Sequence, residues 1–226
     1  NLKKKCGKEA WKIEDKDYYL SIIKFQINSI IGFLQENGYI TSDYKLTILG
    51  IIAKEINECN EIILSQSIIN KHFDDLTIPE IVGLISIFIE DKGGSDKDVY
   101  ISDLNQGKNM TDILHQLGEI AGEYSDKENI FIKKNNIYLN NNWDLHLDLF
   151  QAAFLWASNS SFYQIKKVYH SFEGNFIKNI LRINNIIRDL MVSADITKNN
   201  ELYTKLSQIE TILIRDEVTV ESLYVN

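Results

Sequence analysis

One proline and eleven glycines in 226 residues are too few for an all-β fold, which places both types in its many turns. Two cysteines, Cys6 and Cys59, stand far apart with no C-x-x-C spacing. Free thiols are therefore expected, not a disulfide or metal framework. The longest uncharged run, Leu149 to Ile165, is interrupted by Gln151, Ser158, Asn159, Ser160, Ser161 and Gln164, too polar to cross a bilayer. The polar start Asn1-Leu2-Lys3-Lys4-Lys5 lacks the apolar stretch of a secretory leader. An intracellular location is expected, nucleus and cytoplasm being indistinguishable, with no membrane partner.

Chemistry is equally sparse. No G-x-x-x-x-G-K-[ST] phosphate loop is present, and Gly93-Gly94 has neither a strand before it nor Lys-Ser after it, so the chain should not hydrolyse ATP by itself. The four histidines are dispersed without an H-x-x-x-H pair. Asp144-x-His146-x-Asp148 comes nearest to a ligand set, but on a helix residues two apart point in nearly opposite directions and cannot converge on one ion. Serine and cysteine nucleophiles lack a recognisable partner. No catalytic residue, metal site or cofactor is expected in this chain.

What is present reads as helix. Hydrophobic residues make up 44% and charged residues 25%, ordinary for a globular protein. From Asp17 an apolar stripe at Tyr19, Ile23, Ile27, Ile30 and Leu34 marks a helix packed on one side and stopped at Asn37-Gly38. A short extended piece, Tyr39 to Thr47, leads to a second helix striped by Ile52, Ile56, Cys59 and Ile63. Thr77-Ile78-Pro79-Glu80 is a capping box that opens a central helix, apolar nearly all round, to about Glu90. Asp91 to Gly107 reads as a loop. A helix with Ile113, Leu117, Ile120 and Tyr124 follows, and Ile130 to Leu139 alternates around Asn135-Asn136 as a minor hairpin would. The next helix carries Leu145, Leu149, Ala152 and Trp156. Ser161-x-x-Gln164 caps a short helix to about Tyr169. A long helix with Phe176, Ile180, Ile183, Ile187, Leu190 and Ala194 on one face comes next, and a last one is striped by Leu202, Leu206, Ile209 and Leu213. The expected fold is an all-α bundle of about seven helices, with room for one minor β-hairpin.

The net charge of -8 argues against a protein that coats nucleic acid over its whole surface, but a local strip is basic. Between Phe162 and Arg188 stand Lys166, Lys167, Lys178, Arg182 and Arg188 against the single acid Glu173. Lys178, Arg182, Asn185 and Asp189 form one ridge opposite the aliphatic stripe. Phe162, Tyr163, Tyr169 and Phe172 lie just upstream, as a stacking surface for unpaired bases would require. Taken alone, the residues favour a solvated helix face beside a buried aromatic cluster over a nucleic-acid surface.

Phe172-Glu173-Gly174-Asn175-Phe176-Ile177-Lys178, with Arg182 following, resembles the (Y/F)-E-G-x-(L/I/F)-(I/V)-R…R helix of the DSHCT domain, the C-terminal domain of exosome-associated and superkiller-type RNA helicases. Ala153 to Phe162 is similar to the family's A/V-x-x-W-x-x-G-x-x-F segment, and Arg215-Asp216-Glu217-Val218 through Ser222-Leu223-Tyr224-Val225 to its closing R-D-I-V…S-L-Y. Leu46 to Ile56, then Asn60 to Leu64, resembles L-T-x-x-G-x-x-A-x-x-I…(D/N)-E-L-L-L. Asp75 to Phe88 resembles D-L-(S/T)-x-x-E…L-S-x-F.

The resemblance implies an all-α accessory domain without chemistry of its own. Such a domain lies across two RecA-like ATPase domains and touches single-stranded RNA through one long ratchet helix, here near residues 174–196. It divides the chain into a connector with its lead-in helix (1–38) and a DSHCT-like bundle (39–226). The family's two arginines fall on Lys178 and Arg182, and its acidic residue on Asn185. The first change keeps charge but loses the planar fork, and the last removes a negative charge. The expected nucleic-acid-binding residues are Lys178, Arg182, Asn185 and Arg188. The expected partners are single-stranded RNA, RecA-like domains of the same polypeptide and exosome-type adaptors. ATP and Mg would belong to the parent helicase, of which a chain starting with Asn reads as a C-terminal fragment. Two alternatives stay open: a helical scaffold recruiting RNA-processing partners, and the equivalent domain of a DNA helicase.

Overall fold

The computed structural model describes residues 13–91, 107–137, 139 and 141–215. The lysine-rich opening with Cys6, nearly all of the 91–107 loop and the closing segment after Arg215 lie outside the described residues. Among the described residues nine helices follow in order: α1 (Ile13–Glu36), α2 (Ile48–Glu55), α3 (Glu61–Ile69), α4 (Ile78–Ser86), α5 (Lys108–Asn135), α6 (Phe150–Ala157), α7 (Phe162–Ile165), α8 (Glu173–Ile196) and α9 (Asn200–Leu213). The described residues contain no strand, only an isolated antiparallel bridge between Ile40 and Leu46. The fold is an all-α bundle.

Punctuation in the sequence accounts for most boundaries. Gly38 adopts φ 79°, a left-handed value that costs glycine little, and its N–H bonds the Gln35 carbonyl at 3.1 Å to close α1. The Glu80 carboxylate accepts the Thr77 N–H at 2.8 Å, and Gln164 accepts the Ser161 N–H at 2.9 Å, as the two capping boxes require.

Three expectations need correction. The helix through Ile52 and Ile63 is two helices, α2 and α3. Asn60 breaks the run, its Oδ1 accepting the N–H groups of Ile62 and Ile63 at 3.1 and 3.0 Å while its amide donates to the Asn142 carbonyl at 2.8 Å. The hairpin around Asn135-Asn136 does not form. Instead α5 continues to Asn135 because Phe131 is buried against Phe33, with ring centroids 4.9 Å apart, and left-handed Asn136 (φ 49°) ends it. Finally, the helix carrying Trp156 begins only at Phe150. Residues 141–147 take no helical form, and the His146 N–H bonds the Ile87 carbonyl at 2.7 Å.

The main core gathers α3, α4, α6, α8 and α9 around Ile81, Leu84, Trp156, Phe176, Ile183 and Leu206, all essentially inaccessible. Gly83 lets α4 and α6 approach: a Cβ there would sit 3.1 Å from the Phe150 ring. A second, smaller core joins the end of α1 to α2, α3 and α5 through Phe33, Tyr39, Ala53, Ile62, Tyr124 and Phe131. The stripe on α1 is therefore used only in part. Ile30 and Leu34 pack on this core, while Tyr19, Ile23 and Ile27 stay at least half exposed.

Candidate nucleic-acid interface

α8 owes its position to its aliphatic face. Phe176, Ile180, Ile183, Ile187, Leu190 and Ala194 are all buried, and burying each large side chain contributes about 1.5–3 kcal/mol. Glu173 in the first turn complements the helix dipole. With that face fixed, the opposite ridge must point outward. Lys178 is exposed and Arg182 half-buried, and among the described residues neither side chain makes a hydrogen bond or ion pair.

The ridge is not uniformly basic in its surroundings. Arg182 forms one wall of a recess of about 340 Å³ whose rim also carries Glu58, Glu61, Glu90 and Asp144. Further along, the loop between α2 and α3 is pinned to the ridge. The Asn185 amide donates to Glu58 Oε1 at 3.2 Å, and Asp189 Oδ2 accepts the Asn57 N–H at 2.9 Å. Partial burial, then the nearby Glu58 and Glu55, push the Asp189 carboxyl above its ordinary pKa, against the lowering effect of Asn57. In the same corner burial raises the Cys59 thiol, with Asp189, Glu61 and Glu58 adding to the shift and Arg182 opposing it.

Arg188 lies on another flank of α8, ion-paired with Glu210 of α9. Lys178 and Arg182 are thus the cations of the ridge that remain available. Asn185 is engaged by the loop. The one local sign of that loop is the polar run Asn57-Glu58-Cys59-Asn60-Glu61.

The upstream aromatics separate into two groups. Tyr169 is buried and Phe162 half-buried, each packed edge-on against Phe176 with centroids 5.2 and 5.7 Å away. Burial first, then Asp91, raise the Tyr169 phenol. Tyr163 and Phe172 are exposed. Because residues 144–148 are not a single helix, the helical argument against convergence of Asp144, His146 and Asp148 does not apply. Among the described residues no three His, Cys, Asp or Glu side chains are placed to share a metal ion, and no helix is long and apolar enough to cross a membrane.

The fold and this surface define an all-α domain that presents one long amphipathic helix beside an acidic recess. The model of the DSHCT (NUC185) domain matches residues 43–220, and the chain belongs to that family. It is 27% identical over 195 residues to the "DExH-box ATP-dependent RNA helicase DExH9" of Arabidopsis thaliana, covering 84% of this chain and 19% of the relative. It is 25% identical over 195 residues to the human "Exosome RNA helicase MTR4", covering 84% and 18%, and 23% identical over 208 residues to the "Antiviral helicase SKI2" of Saccharomyces cerevisiae, covering 86% and 15%. The chain spans less than a fifth of the length of these relatives.

Proposed function

We propose that this domain is a non-catalytic accessory part of an ATP-dependent RNA helicase, roofing the RecA-like core and touching single-stranded RNA through α8 during unwinding. ATP and Mg would be bound by that core. The observation that supports it is the outward ridge: Lys178 exposed and Arg182 half-buried, on the helix whose Phe-Glu-Gly start carries the family resemblance. Two available cations 6 Å apart along the axis (about 1.5 Å rise per residue) match neighbouring phosphates of an extended strand. Glu58 brings a carboxylate to Asn185, the position where the family's helix carries its own acid. Arg188 would have to release Glu210 to join them.

The test is Lys178→Glu and Arg182→Glu in the full-length helicase. Each change should depress unwinding and flatten the dependence of log affinity on log salt by about one unit while leaving the fold intact. Unchanged unwinding and an unchanged salt slope would reject the reading. RNA and DNA duplexes compared side by side decide which nucleic acid is the substrate.

A scaffold role has its own support in the exposed α1 face. Tyr19, Ile23 and Ile27 form an apolar patch that the described bundle leaves uncovered, as a protein-docking surface would be. Ile23→Glu with Ile27→Glu should then release a co-purifying protein without weakening RNA binding.

A further inference from the structure

The stretch just before α8 holds two rings that serve neither core nor helix. Tyr163 is 72% exposed and Phe172 81% exposed, while Phe162 and Tyr169 on the same segment turn inward onto Phe176. Phe172 occupies the N-cap of α8 and makes no side-chain cap bond, where Ser, Thr, Asp or Asn would have satisfied an orphan N–H. Tyr163 is the second residue of the four-residue helix α7, in which only Ile165 is buried. The local sequence thus exposes two large rings where folding gains nothing from them.

Their neighbours are cationic. Lys167 Nζ stands over the Tyr163 ring, 4.9 Å from its centroid. Lys166 spans the gap between the two helices, resting 5.4 Å from the Phe162 centroid and pairing with Glu173 at the start of α8. Lys178 follows six residues after Phe172, about 9 Å along the helix axis. The exposed α1 face mixes Ile23 and Ile27 with Tyr19 and Phe25, and a packed apolar partner would suit it. Two exposed rings, one of them under a lysine, suit a ligand with its own flat faces and negative charge between them.

The geometry points to Tyr163 and Phe172 as a stacking platform for the unpaired bases of single-stranded RNA, with Lys167 facing its phosphates and Lys166 joining it on release from Glu173. This deepens the proposed function and rests on its choice of RNA. Stacking reads any base, because every base has a π-face, so the platform adds grip without sequence preference. It lies before the first turn of α8, at the end of the helix nearer Lys178. No covalent step is involved.

The experiment uses the full-length helicase and a single-stranded RNA carrying 2-aminopurine. Binding should quench the probe, and Tyr163→Ala with Phe172→Ala should remove most of the quenching and weaken binding roughly five- to a hundredfold per ring. The same double variant should keep the wild-type salt slope, because no charge is lost. Tyr163→Trp and Phe172→Tyr should restore both readouts. An abasic strand of the same length should bind wild type and double variant equally. Equal quenching by wild type and double variant overturns the platform, as does an abasic strand held as tightly as one with bases. Loss of a co-purifying protein with RNA binding unchanged also overturns it, in favour of a protein partner. Failure of the ridge reads differently: Lys178→Glu and Arg182→Glu would leave the salt slope untouched while the quenching persists.

Discussion

The guanidinium of Arg215 lies 3.4 Å above the ring of Trp156 and donates to the carbonyl of the same residue at 3.0 Å. The fixed indole in turn donates its N–H to the Leu213 carbonyl at 3.1 Å, so the end of α9 and the end of α6 hold each other from both sides. Arg215 also reaches Asn159 Oδ1 and the Ser160 carbonyl at 3.1 and 3.3 Å, capping the turn that leads into α7. Arg215→Ala should destabilise the domain by about 1.5–3 kcal/mol, the scale of hydrogen bonds to a charged group. Arg215→Lys should recover only part, because lysine lacks the flat fork. Trp156→Ala should cost about 3–5 kcal/mol through cavity formation. Urea denaturation of the three variants checks the order.

Gly50 is required by a backbone approach. A Cβ at this position would lie 2.1 Å from the Tyr39 carbonyl oxygen, which no side-chain adjustment can relieve. Gly50→Ala should therefore destabilise by about 1–3 kcal/mol despite its better helix propensity. Gly118→Ala, where a Cβ meets nothing within 4 Å, should be neutral or stabilising in the same melting assay.

His72 predicts an acid-side loss of stability. Burial holds its pKa below the ordinary 6.5, a contact with Gln116 opposing the shift, and its Nδ1 shares a 3.3 Å hydrogen bond with Ser67 Oγ. The unfolded chain then binds more protons than the folded one just below pH 6.5. The contribution is complete above that value and is lost as pH falls through the lowered folded pKa. His72→Gln should flatten the dependence of melting temperature on pH in this window. Asp189 acts with the opposite sign, because its raised pKa favours the protonated fold at lower pH.

Cys59 should be slow to alkylate. Its thiol is pushed up by burial and by three carboxylates, so the reactive thiolate is scarce near neutrality. Labelling with iodoacetamide at pH 7.5 should run at least tenfold slower than for a free thiol, since each unit of upward shift removes about nine-tenths of the thiolate. Arg182→Ala should slow it further, because Arg182 is the group that favours the thiolate. An unchanged rate would place the arginine's charge elsewhere.

The two halves of α1 should respond differently. Ile23→Glu or Ile27→Glu should alter stability by no more than about 0.5 kcal/mol, because both side chains are half exposed. Phe33→Ala should cost about 3 kcal/mol or more through its lost contact with Phe131.

The all-α class was legible because single stripes such as Leu202, Leu206, Ile209 and Leu213 have one period and one clear stop, and all four are buried. Legibility failed where a local cap overruled a continuing stripe, as at Asn60, or where a tertiary partner carried a helix through polar residues, as Phe33 does for α5. A stripe on α1 specifies a face but not what covers it, so Tyr19 and Ile23 read like core residues. On α8 the spacing placed Lys178 and Arg182 outward. Nothing local could announce that a loop some 130 residues earlier would come to rest against Asn185 and Asp189.

That loop has a mechanical consequence. With Asn57 and Glu58 fastened to its outer side, the rod formed by residues 173–196 cannot swivel on its own axis without tearing two polar links. Any force applied at its start would pass through those links into the segment joining α2 to α3.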